Sequence, residues 1–290
     1  MMAAAVLLSG WLSLFALSAE ASFDELSQPR VRLDYRSLQP GEVLKLTISH
    51  DRPIRKAQIH FQGEKYGFGK GETFIAFLGL DLNLEPGAYP ISVSIVYENG
   101  ELKKIKKEIL VRKKEFPVKK LWVKEKFVSP PQEVLERIRR ESRLLQVVYD
   151  IYTSQWLGEG SFMVPVQGEA HHNFGERRFF NNKPRSSHSG EDISSPLGAP
   201  VKASNSGKVV LADDLYFAGK TVILDHGLGV FTLYCHFSKI KVQRGVFVEK
   251  GSVIGEIGAT GRVTGPHLHW GVKIRGKRVD PFSLLSLELE

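Results

Sequence analysis

The chain has 290 residues, room for about two domains at ~100–200 residues each. It carries 40 basic and 32 acidic side chains, a formal net charge of +8, and 42% hydrophobic residues, so it can bury a core and favours anionic partners. No basic run interleaves with aromatics as a nucleic-acid platform requires, so no nucleic-acid partner is expected, and the single cysteine, Cys235, excludes an intramolecular disulfide.

From Ala3 to Leu17 the chain is almost continuously apolar, and Ala19-Glu20-Ala21 follows with small residues where a signal peptidase reads. Residues 1–21 are expected to be a signal peptide cut before Ser22. The apolar stretch is short for a membrane span, which needs ~20 residues. An exported chain with no stable membrane insertion after cleavage follows. A retained anchor is the alternative, because no Lys or Arg precedes the apolar run.

Residues 22–113 read as short strands between turns. Val31–Tyr35, Val43–Ser49, Ala57–Phe61, Thr73–Leu78 and Ile91–Tyr97 carry β-branched or alternating apolar residues. Pro40-Gly41 and Pro86-Gly87 punctuate them, and Asn99-Gly100 predicts a two-residue hairpin turn with positive φ at both positions. The pattern predicts a small β-sandwich, Ig-like in general form, as an accessory domain. His50 and His60 fall here as ordinary strand residues.

Residues 114–160 read as a basic linker and an amphipathic helix. Lys113, Lys114, Lys119, Lys120, Lys124 and Lys126 mark a solvated extended segment, or alternatively a contact to an anionic polymer. For the helix, Ser129 is the expected cap, Pro130 the first helical residue and Gln132 the capping-box partner. Val134, Leu135, Ile138, Leu145, Val148 and Tyr152 form its apolar face. Glu133/Arg137 and Glu136/Arg140 are spaced as i,i+4 pairs. The helix is expected to end near Gly158.

Residues 161–290 return to glycine-rich strands, and here the chemistry concentrates: seven of the nine histidines lie beyond residue 170. His188-Ser189-Gly190-Glu191-Asp192 is a His-x-Gly-x-Asp segment in which Gly190 permits a sharp bend. Gly265-Pro266-His267-Leu268-His269 supplies His-x-His, with both imidazoles on one strand face and Leu268 facing the core. Between them lies Tyr234-Cys235-His236. Alternation puts Thr232, Tyr234 and His236 on one face and Cys235 on the other, as a small buried hydrophobe. Two imidazoles and a carboxylate suit a catalytic zinc that keeps a position open, with further histidines left to handle protons. Spacing alone leaves open which histidine of the His-x-His pair would bind metal. His226 reads as structural. His171 and His172 read as surface or groove-lining residues, and Arg177, Arg178 and Arg185 as candidates for substrate carboxylates.

These residues resemble the lysostaphin/LytM-like zinc metallopeptidases, which are peptidoglycan hydrolases. The matching stretches are Phe174-Gly175-Glu176-Arg177-Arg178, His188 to Asp192, Gly198 to Ala203, Leu224 to Gly227, Tyr234 to Ser238, Gly251 to Gly255 and Thr260 to His269. The upstream region resembles the accessory region of exported Gram-negative members, with weaker motifs. The resemblance implies a mainly β chain: an N-terminal sandwich, a linking α-helix and a C-terminal antiparallel peptidase sheet with a groove. It also implies His188, Asp192 and His269 as zinc ligands and His236 and His267 as the catalytic pair. Arg177, Arg178 and Tyr234 become candidate substrate contacts, with a packing role as the other reading of Tyr234, stem peptides the substrate, D,D-endopeptidase the activity, and the periplasm or cell envelope the location. A non-catalytic wall-binding or amidase-activating module is the alternative, although no ligand is missing. A biotinyl- or lipoyl-like carrier is the third reading, but Lys250 lacks the flanking hydrophobes of a carrier lysine.

Overall fold

The computed structural model describes residues 28–69, 74–184 and 186–289. The expected signal peptide and Arg185 lie outside the described residues. Among those described, no helix is long and apolar enough to cross a membrane.

The chain is mainly β. The N-terminal part has seven strands: β1 (Arg30–Tyr35), β2 (Val43–Ser49), β3 (Ile54–Phe61), β4 (Glu64–Gly67), β5 (Phe74–Gly79), β6 (Gly87–Tyr97) and β7 (Leu102–Val111). They form two sheets, β1-β2-β5 and β4-β3-β6-β7. Alternation sets which side chains go inward: Leu44, Leu46 and Ile48 from one sheet meet Ile91, Val93 and Ile95 from the other in one core. The β6–β7 hairpin departs from the expected two-residue turn. Tyr97 N donates to Glu101 O and Gly100 N to Tyr97 O, so the loop is three residues long. Only Gly100 has positive φ there, at 86°. A longer loop with one left-handed glycine joins the strands with the twist they need.

The basic segment is more structured than a solvated linker. It contributes β8 (Val118–Leu121), which pairs in parallel with β10 (Arg177–Phe180). Helix α1 (Gln132–Asp150) then begins two residues later than expected, with Pro131 as its cap and no side-chain cap bond. Pro131 biases Pro130 away from the helical region, which removes Ser129 from capping range. The helix also stops eight residues before Gly158, because the next segment bonds elsewhere. Leu228 N donates to Thr153 O and Leu157 N to His226 O. Arg137 turns to Glu141 rather than Glu133, with Nε 2.6 Å from Oε1, and Glu141 in turn accepts from Tyr216 N.

The C-terminal part adds β9 (Glu169–Ala170), β11 (Lys183–Pro184), β12 (Gly190–Ser194), β13 (Pro200–Lys202), β14 (Gly207–Leu215), β15 (Gly219–Asp225), β16 (Val230–Phe237), β17 (Lys239–Ile240), β18 (Phe247–Val248), β19 (Val253–Glu256), β20 (Leu268–Ile274), β21 (Lys277–Val279) and α2 (Pro281–Leu285). The large sheet runs β18-β14-β15-β16-β20-β12-β9, with β21 also on β20. Its pairs are antiparallel. On one face Leu268, Trp270, Tyr234 and Leu224 pack against the small sheet β13-β19-β17 through Val201 and Ile254. On the other face α1 covers Phe231, Ile223 and Leu211 through Val148 and its neighbours. That cover stops short of the β12 end, and the uncovered part of this face is the floor of a groove of about 460 Å³.

The sandwich is docked on the large sheet. Val43 and Phe77 share a core cluster with Val272, Ile274 and Val279. Arg278 forks onto Asp81, and Arg36 bridges Glu42 and Asp280.

Candidate metal centre

The site is assembled at the middle of the large sheet. β20 lies between β12 and β16, and the register places Asp192 and Cys235 on either side of His269. Directly opposed residues share a face. His269, Asp192 and Cys235 therefore all look into the groove, while Leu268 and Trp270 look into the core with no exposure.

His188 enters from two residues before β12. Its Nε2 lies 3.0 Å from Asp192 Oδ1 and 2.9 Å from His269 Nδ1, and His269 Nδ1 lies 2.9 Å from Asp192 Oδ1. These are the three donor atoms of a candidate ion site, all within 4.8 Å of one another. His267, just before β20, has Nε2 3.6 Å from Asp192 Oδ1 and lies beside His236, with ring centroids 5.0 Å apart. The structure thus sorts the His-x-His pair: His269 joins His188 and Asp192, and His267 joins His236.

Backbone carbonyls fix the imidazoles. His188 Nδ1 donates to Asn173 O at 3.0 Å, His236 Nδ1 to Thr260 O at 2.9 Å and His267 Nδ1 to Gly265 O at 2.9 Å. In each ring this leaves Nε2 with a lone pair for a metal or a proton. Burial keeps the rings neutral. It lowers His188 to about 4 and pushes His236 well below its ordinary value, helped by the neighbouring His269 and His267. Burial also lowers His267, against the pull of Asp192. Burial alone would raise Asp192, but its close contacts with His188 and His269 outweigh it and hold the carboxyl far below its usual range. Two imidazoles and a carboxylate are a donor set that a divalent cation fits, and zinc in particular.

Several sequence expectations change. Tyr234 does not face the groove. It is fully buried on the core side, where its hydroxyl is held by Ser204 and Thr232. The reason is a β-bulge: Lys220 pairs with Phe237 and Val222 with Tyr234, so Cys235 and His236 together oppose Thr221. His236 sits at φ 69°, and alternation breaks there. Both Cys235 and His236 line the groove as a result, whereas alternation placed Cys235 on the opposite face. Burial pushes the Cys235 thiol up to about 12, so it remains an inert small side chain.

The arginines separate in the same way. Arg178 reaches Asp192 Oδ2 at 2.8 Å and also contacts Glu176, so its guanidinium is engaged within the protein rather than turned toward a substrate. Arg177, its neighbour on β10, is exposed and lies outside the described lining of the groove. Gly190 also has a different purpose. It lies within β12 and does not bend the chain. A Cβ there would sit 2.9 Å from His269 Cε1 and Nε2 and 2.5 Å from Trp270 O, so the bare backbone makes room for the His269 ring.

Two groups escaped the sequence reading. Asn173 donates from Nδ2 to Asp192 Oδ2 at 3.0 Å and accepts from Asp192 N, besides receiving the His188 proton on its carbonyl. Glu191 is buried and accepts backbone bonds from Asn173 and Phe174, which ties that loop to β12; burial raises it to about 7. Their partners are 15 to 19 positions away, so no local spacing could have revealed Asn173. His171 lines the groove and contacts Ser194 Oγ at 2.7 Å, while His172 packs on Phe282. His226 is buried between Ser206 and Thr232, as a structural histidine would be.

Comparison with known proteins adds three findings. Residues 186–281 match peptidase family M23. The peptidoglycan DD-endopeptidase ShyA of Vibrio cholerae is 43% identical over 109 residues, 37% of this chain and 25% of that protein. The DD-carboxypeptidase/endopeptidase Mpg of Neisseria meningitidis is 42% identical over 97 residues, 33% of this chain and 22% of that protein. The match therefore spans about a quarter of the length of these curated relatives. A crystal structure described as a peptidase M23 from Pseudomonas aeruginosa aligns with 87% of this chain and 96% of its own, at 31% identity and a TM-score of 0.63.

Proposed function

The chain belongs to peptidase family M23, and on that footing we propose that it is an exported zinc-dependent endopeptidase that hydrolyses peptide cross-links of peptidoglycan. The observation that carries this is the donor set His188, Asp192 and His269 on the floor of an open groove, with a second, neutral histidine pair beside it. The named activities of the Vibrio and Neisseria relatives support peptidoglycan as the substrate and D,D-cross-links as the bond cut.

His188, Asp192 and His269 would hold the ion. When bound, zinc supplies Lewis acidity toward a carbonyl oxygen and toward water. The remaining roles fall to the chain. His236 and His267 present Nε2 lone pairs, because their Nδ1 protons are spent on Thr260 O and Gly265 O. Such an imidazole takes a proton from water as general base and returns it to the leaving amine as general acid. Arg178 and Asn173 both bind Asp192 Oδ2, which leaves Oδ1 directed at His188 and His269.

The test is conversion of purified cross-linked muropeptide dimers to monomers by zinc-loaded protein, followed by chromatography. Monomer should appear, stop on chelation and resume on zinc addition. Unchanged dimer across a pH range, with wild type indistinguishable from His267→Ala, ends the proposal.

A further inference from the structure

One wall of the groove comes from the segment between the two domains. β8 pairs with β10 so that Lys119 lies beside Arg178 and Leu121 beside Phe180. Neighbours in register share a face, and all four side chains line the groove. Arg178 is already bound to Asp192 and Glu176. Lys119 is not so committed: its side chain is 48% exposed and its Nζ is 3.7 Å from Glu176 Oε1, an ion-pair distance without a hydrogen bond. Next to this wall, Arg262 lies over the rings of Phe180 and Phe217. Among the described lining residues Asp192 is the sole acid, and Arg178 neutralises it. Lys119 thus presents a half-exposed ammonium on the interdomain wall of the groove.

We propose that Lys119 is a substrate-binding residue whose ammonium receives a free carboxylate of the peptide substrate, making β8 one wall of the substrate site. This rests on the peptide-hydrolase reading above. An ammonium with unfilled donors, next to an apolar Leu121, suits an anionic peptide whose acid group lies near the scissile bond.

The experiment uses the full chain and two dye-labelled stem peptides, one with free carboxylates and one fully amidated, with binding read by fluorescence anisotropy. Wild type should bind the free acid about tenfold more tightly, the size of one charge-assisted contact. Lys119→Met should abolish the preference and Lys119→Arg should keep it. The β8 ladder is made by backbone, so melting curves of both variants should match wild type. Turnover of cross-linked dimers should show KM about tenfold higher in Lys119→Met, with kcat within about twofold. An unchanged preference in Lys119→Met, or none in wild type, overturns the proposal even if dimers are cleaved. If dimers are not cleaved but Lys119→Met still loses the preference, the hydrolase reading falls and the carboxylate site stands.

Discussion

Adding one methyl group at Gly190 should disable the centre without removing any donor atom. The new Cβ would stand 2.9 Å from two atoms of the His269 ring and 2.5 Å from Trp270 O, where ordinary contact begins near 3.4 Å. The imidazole must therefore retreat by roughly half an ångström. The carbonyl belongs to the β12–β20 ladder and moves only by loosening it. Forced overpacking of this kind costs about 1–3 kcal/mol. The ligand displacement matters more, because His269 Nδ1 is held at 2.9 Å from both Asp192 and His188. Metal sites lose about 10–100-fold in affinity when ligand orientation is disturbed. Gly190→Ala should thus melt at a lower temperature and bind zinc at least tenfold more weakly by competition with a chromogenic chelator. Gly198→Ala is the control: its φ of 84° carries strain, but nothing lies within 4 Å of the added Cβ. It should lose some stability and keep zinc affinity. Wild-type zinc affinity and melting in Gly190→Ala would refute the reasoning.

Further outcomes follow from the same geometry. Arg178→Met leaves Asp192 Oδ2 with Asn173 alone, so zinc affinity should fall about tenfold or more, measured by titration calorimetry. Cys235→Ala should keep activity within about twofold, because a thiol pushed up to about 12 by burial is not a nucleophile; loss of turnover would count against its passive role. Burial lowers His226 from 6.5 to about 4, so below pH 6.5 the unfolded chain takes the proton first. This contribution is zero above that range, grows as pH falls and is complete below pH 4, at a cost on the order of 3 kcal/mol. Denaturant melts should show the stability of wild type falling relative to His226→Gln between pH 7 and 4. Parallel curves would contradict the assignment.

Much of the centre is legible in the sequence because its spacing is short. His188 and Asp192 are brought together by four residues of chain, and His267 and His269 by two. The β2 limits also follow from alternation, since Val43–Ser49 is a regular strand. Where alternation is interrupted, inference from it fails. A single bulge at His236 reverses the faces expected for Tyr234 and Cys235, and nothing in Tyr234-Cys235-His236 announces it. The end of α1 is set by backbone bonds to residues 226–228, far away in sequence. Asn173, Arg178 and the β8 wall depend on contacts across 14 to 59 positions and become visible only in the assembled structure.

The division of His267 and His269 is tested most directly by metal stoichiometry. Zinc per chain, measured by plasma mass spectrometry after dialysis, should be about one in wild type and in His236→Ala and His267→Ala. It should be near zero in His188→Ala, Asp192→Ala and His269→Ala, with dimer cleavage lost in all five variants. Retention of zinc by His269→Ala together with its loss from His267→Ala would contradict the arrangement at its centre.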